Sequence, residues 1–434
     1  MRKCIGLVLV GALFAFGAGC SDEGGTAATG GTGGSQELCS TPGETVTLPG
    51  EITESVMLTA DCTYRIAQTV FVTGGTMTVE EGTRVIGDQA AGLVITKDAT
   101  IEAQGSPGAP IVFTSSAPAG SRQPGDWGGV VLLGSAPLSW GNAACGGDTG
   151  VICEGSIEGL PEGDNRGTYG GDAPTSNCGT LSYVRVEFAG FTFGEDNELN
   201  SLTLGGCGTD TTLEYLQLHQ GEDDGVEFFG GTASISNFIV SATGDDGLDW
   251  DQGWQGEATN FIVDHTSPRS DDPRGIEGDN FSDNNDVEPR SNPTVSFGTL
   301  LGSTGTVAGI VLRRGTIGTL SDLVVADWDG PGVDVRDGSW DPAWPTNMSV
   351  SDTCFWANDP DYPIDDNDPN SAGTGFFDEP TELDDGLGNT VDQNPEIADR
   401  AAHDYSVGNS SCAGAFAPSG TDWTTGGWTD YSAN

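Results

Sequence analysis

Short apolar stretches return along this chain at intervals of roughly 20–30 residues, each closed by a glycine-containing turn. The clearest are Leu213-Glu214-Tyr215-Leu216-Gln217-Leu218, Ile235-Ser236-Asn237-Phe238-Ile239-Val240 and Asn260-Phe261-Ile262-Val263. Between them one phrase is written twice, first as Glu222-Asp223-Asp224-Gly225-Val226-Glu227-Phe228. It returns as Gly244-Asp245-Asp246-Gly247-Leu248-Asp249-Trp250, with the glycines 22 residues apart. After each glycine the order is apolar, acidic, aromatic, the alternation of a short strand with one face buried. Strands and turns repeating at this interval, with no helical stretch among them, predict an all-β solenoid whose coils each touch only their neighbours.

Earlier stretches follow the same design. Met77-Thr78-Val79-Glu80-Glu81-Gly82-Thr83-Arg84-Val85-Ile86-Gly87, Thr100-Ile101-Glu102-Ala103-Gln104-Gly105 and Pro110-Ile111-Val112-Phe113-Thr114-Ser115 read as strands parted by turns. With Gly125-Asp126-Trp127-Gly128-Gly129-Val130-Val131-Leu132-Leu133-Gly134 and the two acidic phrases, they resemble right-handed parallel β-helix proteins of the pectin-lyase-like superfamily. The resemblance covers most of the chain. It implies an exported, right-handed parallel β-helix and carries no activity with it, because fold transfers more readily than function.

Boundaries follow from breaks in the period. Residues 1–19 read as a lipoprotein signal peptide, with Arg2 and Lys3 ahead of an apolar run too short to span a bilayer. Phe16-Gly17-Ala18-Gly19-Cys20 resembles a lipobox, which makes Cys20 the acylated residue and a membrane the first partner. Residues 20–38 are a flexible Gly/Thr-rich tether. The β-helix is read over 39–337, with long loop insertions near 138–180 and 279–293. Residues 338–434 lose the period and read as an irregular, acidic, aromatic-containing C-terminal cap over the open end of the coil. Eight cysteines remain beyond Cys20, an even number that predicts disulfides in an exported chain. Neighbouring coils favour Cys39–Cys62, Cys145–Cys153, Cys178–Cys207 and Cys354–Cys412.

Charge narrows the function. Fifteen basic against 65 acidic residues give a formal charge of −50, which excludes a nucleic-acid partner. Aligned on Gly225, Gly247, Gly275, Gly309 and Gly332, the coils place Val226, Leu248, Ile276, Ile310 and Val333 inward. Glu227, Asp249 and Glu277 fall one residue later and form a column at the rung spacing of about 4.8 Å. Asp223, Asp224, Asp245 and Asp246 sit in the turns just before it, with Asp271 and Asp272 in the next. Like charges stacked on neighbouring strands are unfavourable. The set Asp223, Asp224, Glu227, Asp245, Asp246, Asp249 and Glu277 is therefore a candidate Ca2+ site, since calcium takes oxygen ligands in flexible geometry. The bland alternative is a solvated acidic face.

Two function classes stay open. One is a lipid-anchored surface module, at the outer membrane or cell surface, that binds glycans or surface proteins with calcium and offers exposed aromatics such as Phe229. The other is an extracellular polysaccharide lyase or glycoside hydrolase working on the acidic face. Lysine is nearly absent after the signal, so a lyase base falls to arginine. Arg313 and Arg274 are the candidates, with Asp249 and Glu227 as acids. The Gly-His-Gly and Arg-x-Lys motifs of polygalacturonase-like enzymes are missing, since Gln220 follows His219 and Thr266 follows His265.

Overall fold

The computed structural model describes residues 35–139, 153–160, 164–194, 197–266, 268–270, 272–336, 347–362, 379–383 and 386–432. The signal segment, Cys20, most of the tether, Trp140, Cys145, Asp271, Trp340 and Trp344 lie outside the described residues.

The chain winds as a parallel β-helix: both long sheets pair in parallel, beginning with Gln36–Glu37 against Val56 and Met57. One coil shows the plan: Ala99–Gln104 and Ile111–Ser115 pair side by side with coils above and below, and Gly129–Leu133 belongs to a separate ten-stranded sheet. From Gly179 to Leu301 the first two strands of each coil fuse into single strands of eight or nine residues, such as Gly179–Glu187, Thr212–His219 and Ser234–Ser241. Each fused strand bends at one residue in the left-handed region: Tyr183 (φ 51°), Tyr215 (φ 53°), Asn237 (φ 54°), Asn260 (φ 55°) and Phe297 (φ 56°). That conformation costs a residue with a side chain about 1–2 kcal/mol. Part of it is offset where the corners stack, as Tyr183 and Tyr215 do with ring centroids 4.4 Å apart.

Inside the coil, Val226, Leu248, Ile276, Ile310 and Val333 stack in register and are fully buried. The repeated glycine has a steric cause. A Cβ on Gly225 would lie 2.4 Å from Val240 Cγ1, and one on Gly247 would lie 2.5 Å from Val263 Cγ1. At both glycines the backbone lies directly against the apolar stack.

Disulfides join Cys39 to Cys62, Cys178 to Cys207 and Cys354 to Cys412, as expected from neighbouring coils. Cys153 is buried, and its expected partner Cys145 is outside the described residues. Parallel pairing runs past residue 337, because Met348–Ser351 and Cys354–Trp356 add to the coil before them. Further on, Leu383 joins the apolar core near the end of the coil. Residues 397–432 do something else: they lie along the flank as a strap, packing Tyr405, Ala415, Phe416 and Trp428 on Ile239, Ile262, Leu301 and Val324. Those four flank residues point outward from the coil, so the strap covers apolar surface that the coil itself cannot bury.

Candidate cation site on the acidic column

The ten-stranded sheet carries the column. Val226–Phe229, Leu248–Asp251, Arg274–Gly278, Ala308–Leu312 and Val333–Val335 pair in parallel, so Glu227, Asp249 and Glu277 occupy successive rungs. Val311 and Asp334 extend the row. All seven carboxylates picked out in the sequence fall into three overlapping groups. Asp223, Asp224 and Asp245 form the first, Asp224, Glu227 and Asp249 the second, and Asp246, Asp249 and Glu277 the third. Within each group one oxygen from every residue lies within 4.8 Å of the others.

The column is not a solvated face. Glu227 and Glu277 are each 8 % exposed, Asp224 is 7 % and Asp246 is 3 %. Cover comes partly from the first loop insertion. Tyr169 belongs to it and donates to Gln252 Oε1 at 2.8 Å, and Glu158 lies close enough to repel Glu227. Phe229, expected on the surface, is buried beneath the same insertion with Leu138, Ile157 and Tyr169. The strand alternation gives its direction correctly, but the loop that covers it has no repeat to be read from.

Hydrogen bonds tie the turns to the strands. The Asp246 N–H donates to Asp224 Oδ1 at 2.8 Å, and the Arg274 N–H donates to Asp246 Oδ1 at 2.6 Å. Asn200 donates to Glu227 Oε2 at 2.6 Å, a partner with no signature in the repeat. Asp249 is different. Its Oδ1 is enclosed and accepts no hydrogen bond among the described residues.

Both candidate arginines converge on the far end of the column. Arg274 Nη1 lies 2.5 Å from Glu277 Oε1 and 3.5 Å from Asp246 Oδ2, and the same guanidinium pairs with Asp272. Arg313 lies 2.5 Å from Glu277 Oε2 and 3.0 Å from Asp279 Oδ1, and Arg314 lies 2.7 Å from Asp279 Oδ2. Burial opposes the charge on Arg274, but Asp246, Glu277 and Asp272 outweigh it, so its pKa rises. The same balance raises Arg313, through Glu277 and Asp279. Guanidiniums held this way are poor bases.

The carboxyl pKa values rise as well, but for a carboxyl a rise disfavours the charged form. Burial, followed by repulsion from Glu277, Asp279 and Asp251, holds Asp249 well above the usual carboxylate range. Burial with Asp249 and Glu158 does the same to Glu227, against the Asn200 hydrogen bond. Asp224 and Asp246 are also raised, by burial first. Glu277 is pushed to about 7 and Asp251 to about 8, in both cases by burial and then by Asp279. With its own residues alone, the column therefore keeps protons close to neutral pH. A divalent cation among these oxygens would supply the missing positive charge.

No curated protein and no solved structure matches the chain. The family model for a pectate-lyase-like β-helix domain matches residues 50–373, which contain every coil that builds the column. The stacked parallel strands, the glycine turns and that match together place the chain in the family of pectate-lyase-like β-helix domains.

Proposed function

We propose that the acidic column holds calcium and that the protein is an exported, surface-tethered binding or structural module for glycans or surface partners. The observation that carries this reading is Asp249. Its Oδ1 is buried without a hydrogen bond among the described residues, and the residue belongs to two of the three carboxylate groups. An enclosed carboxylate oxygen with no donor is costly unless a cation or a proton meets it. The donors are all oxygens, which suits calcium and gives zinc no nitrogen or sulfur. Asp223 and Asp245 are only half-buried and mark the open end, where a bound ion would meet an outside ligand. Three disulfides fit an oxidising compartment. The lipobox-like run at Cys20 supplies the tether.

A lyase or glycoside hydrolase at Glu227, Asp249, Arg274 and Arg313 is the competing reading. The convergence of both arginines favours it, but their locked ion pairs leave a lyase without a base.

Thermal unfolding with calcium and with chelator tests the proposal. A ligand that binds only the folded state stabilises it by about 2.7 kcal/mol at a hundredfold excess over its Kd. Calcium should raise the Tm, and Asp249→Asn should lose most of that increment while staying folded. Equal melting of the native chain in calcium and in chelator would overturn the reading.

A further inference from the structure

Fifteen basic side chains stand among 65 acidic ones, so each has carboxylates to choose from. Among the described residues, eleven of them form ion pairs. Arg400 is typical: it donates to Asp264 Oδ1 at 2.6 and 2.8 Å and staples the strap to the coil. Arg84 is the exception. Its guanidinium has no hydrogen bond and no ion pair among the described residues.

The register sets its surroundings. Arg84 lies opposite Val112, and Val112 opposite Arg185. The next residue on each strand, Val85, Phe113 and Val186, packs in the core, so Arg84, Val112 and Arg185 form an outward row. Two guanidinium arms thus leave the same face two rungs apart, about 9.6 Å at the backbone. Val112 between them is apolar and offers neither arm a partner. A third arm comes from the turn after Ile111–Ser115. Asp126 shapes that turn by accepting from Ser115 Oγ and from the Gln123 N–H, and Arg122 Nε donates to the Ala117 carbonyl at 3.3 Å.

Nearby acid does little for Arg84. Glu187 is 1 % exposed and faces Arg185, with Oε1 2.9 Å from Nε, and Asp430 of the strap approaches the same arginine at 3.8 Å. Burial first, then Arg122, pulls the Arg84 pKa down; Arg185 adds to the repulsion and Glu187 opposes it. Gathering like charges at a partly buried spot is unfavourable, and here it happens in a chain of formal charge −50. An anion between the arms relieves the repulsion, whereas a cation or a neutral ligand does not. The guanidinium fork matches the paired oxygens of an oxyanion. A long polyanion would leave the arms and meet the acidic surface around them, so the ligand is small.

We infer that Arg84, Arg122 and Arg185 form a site for one small oxyanion, a carboxylate, sulfate or phosphate group. Arg84 and Arg185 stand on the long sheet of fused strands and the acidic column on the ten-stranded one, so the two sites are separate. Binding here needs no divalent cation.

The test titrates the full chain by calorimetry with sulfate, phosphate and acetate in calcium-free buffer, against chloride at equal ionic strength. At least one oxyanion should bind one to one and raise the Tm above its value in chloride. Which of the three binds tells a tetrahedral anion from a carboxylate. Arg84→Gln should weaken that binding about tenfold or more, the loss of one charge-assisted contact. Arg84→Lys keeps the charge but loses the fork, so its loss should be smaller. Arg65→Gln removes an arginine already paired with Asp88 and should bind as the native chain does. In chloride, Arg84→Gln should be at least as stable as the native chain, because it deletes a repelled charge. The inference is overturned if no oxyanion exceeds chloride, or if Arg84→Gln binds like the native chain. It is equally overturned if Arg65→Gln loses as much as Arg84→Gln, or if Arg84→Gln is less stable in chloride, the mark of a structural arginine. A column that binds no calcium leaves these outcomes untouched.

Discussion

Arg274 and Glu277 meet at 2.5 Å on the third rung of the acidic column, so the protein fills one end of its own carboxylate row with a guanidinium. Both groups are largely buried, with side chains 6 % and 11 % exposed. Breaking a buried pair by removing one partner costs about 3–5 kcal/mol, mostly because a charge is left uncompensated. Arg274→Gln should therefore lower stability by that order in chelator. It also frees the group of Asp246, Asp249 and Glu277, so calcium should restore more stability to this variant than it adds to the native chain. Denaturant unfolding in the two conditions measures both.

The second expectation concerns pH. Asp251 is raised to about 8 and Glu277 to about 7, whereas an unfolded carboxyl sits near 4. Between those values the folded state binds more protons than the unfolded one, so stability falls as pH rises. The loss is complete only above the folded pKa. In chelator the Tm should decline from pH 5 to pH 9. Asp251→Asn removes one titrating group and should flatten part of that decline, as should calcium.

Leu248 tests the register. It is fully buried between Val226 and Ile276, while Asp249 beside it faces the column. Leu248→Asp places an unpaired charge in the apolar stack, which costs several kcal/mol. Circular dichroism should show loss of folded protein. A variant as stable as the native chain would mean the alternation runs the other way.

The strap depends on Cys354–Cys412, which closes a loop with a sequence separation of 58. A loop of that size is worth about 4 kcal/mol in the chain-entropy account. Replacing both cysteines by serine should lower the Tm. It should also speed amide exchange at Tyr405 and Trp428 before it affects Val226 or Ile276, which lie in the coil interior.

The solenoid was legible because its rules are local and repeated. A glycine followed by an apolar residue set the rungs from Gly225 to Gly332, and neighbouring coils suggested the three disulfides seen among the described residues. The grouping of seven carboxylates followed from the same register. What could not be read is whatever reaches across coils without a period. The burial of Phe229 depends on Tyr169, the Glu227 contact depends on Asn200, and Trp356 forms a coil beyond residue 337 because Met348–Ser351 and Cys354–Trp356 resume the pairing after an interruption. The strap is the extreme case. Arg400 and Asp264 are 136 residues apart, and nothing around either one announces the other.

Asp224 and Asp249 are each common to two carboxylate groups. A row of sites with shared walls behaves as a short one-dimensional lattice, in which the occupancy of one position changes the free energy of the next. An ion in the central group would draw on both shared residues and leave its neighbours fewer ligands. Filling would then proceed by alternation, with the outer positions competing against the middle one. With cations bound, such a lattice would respond to their concentration over a broad range instead of at one threshold, and the guanidinium of Arg274 would set a fixed boundary at its far end.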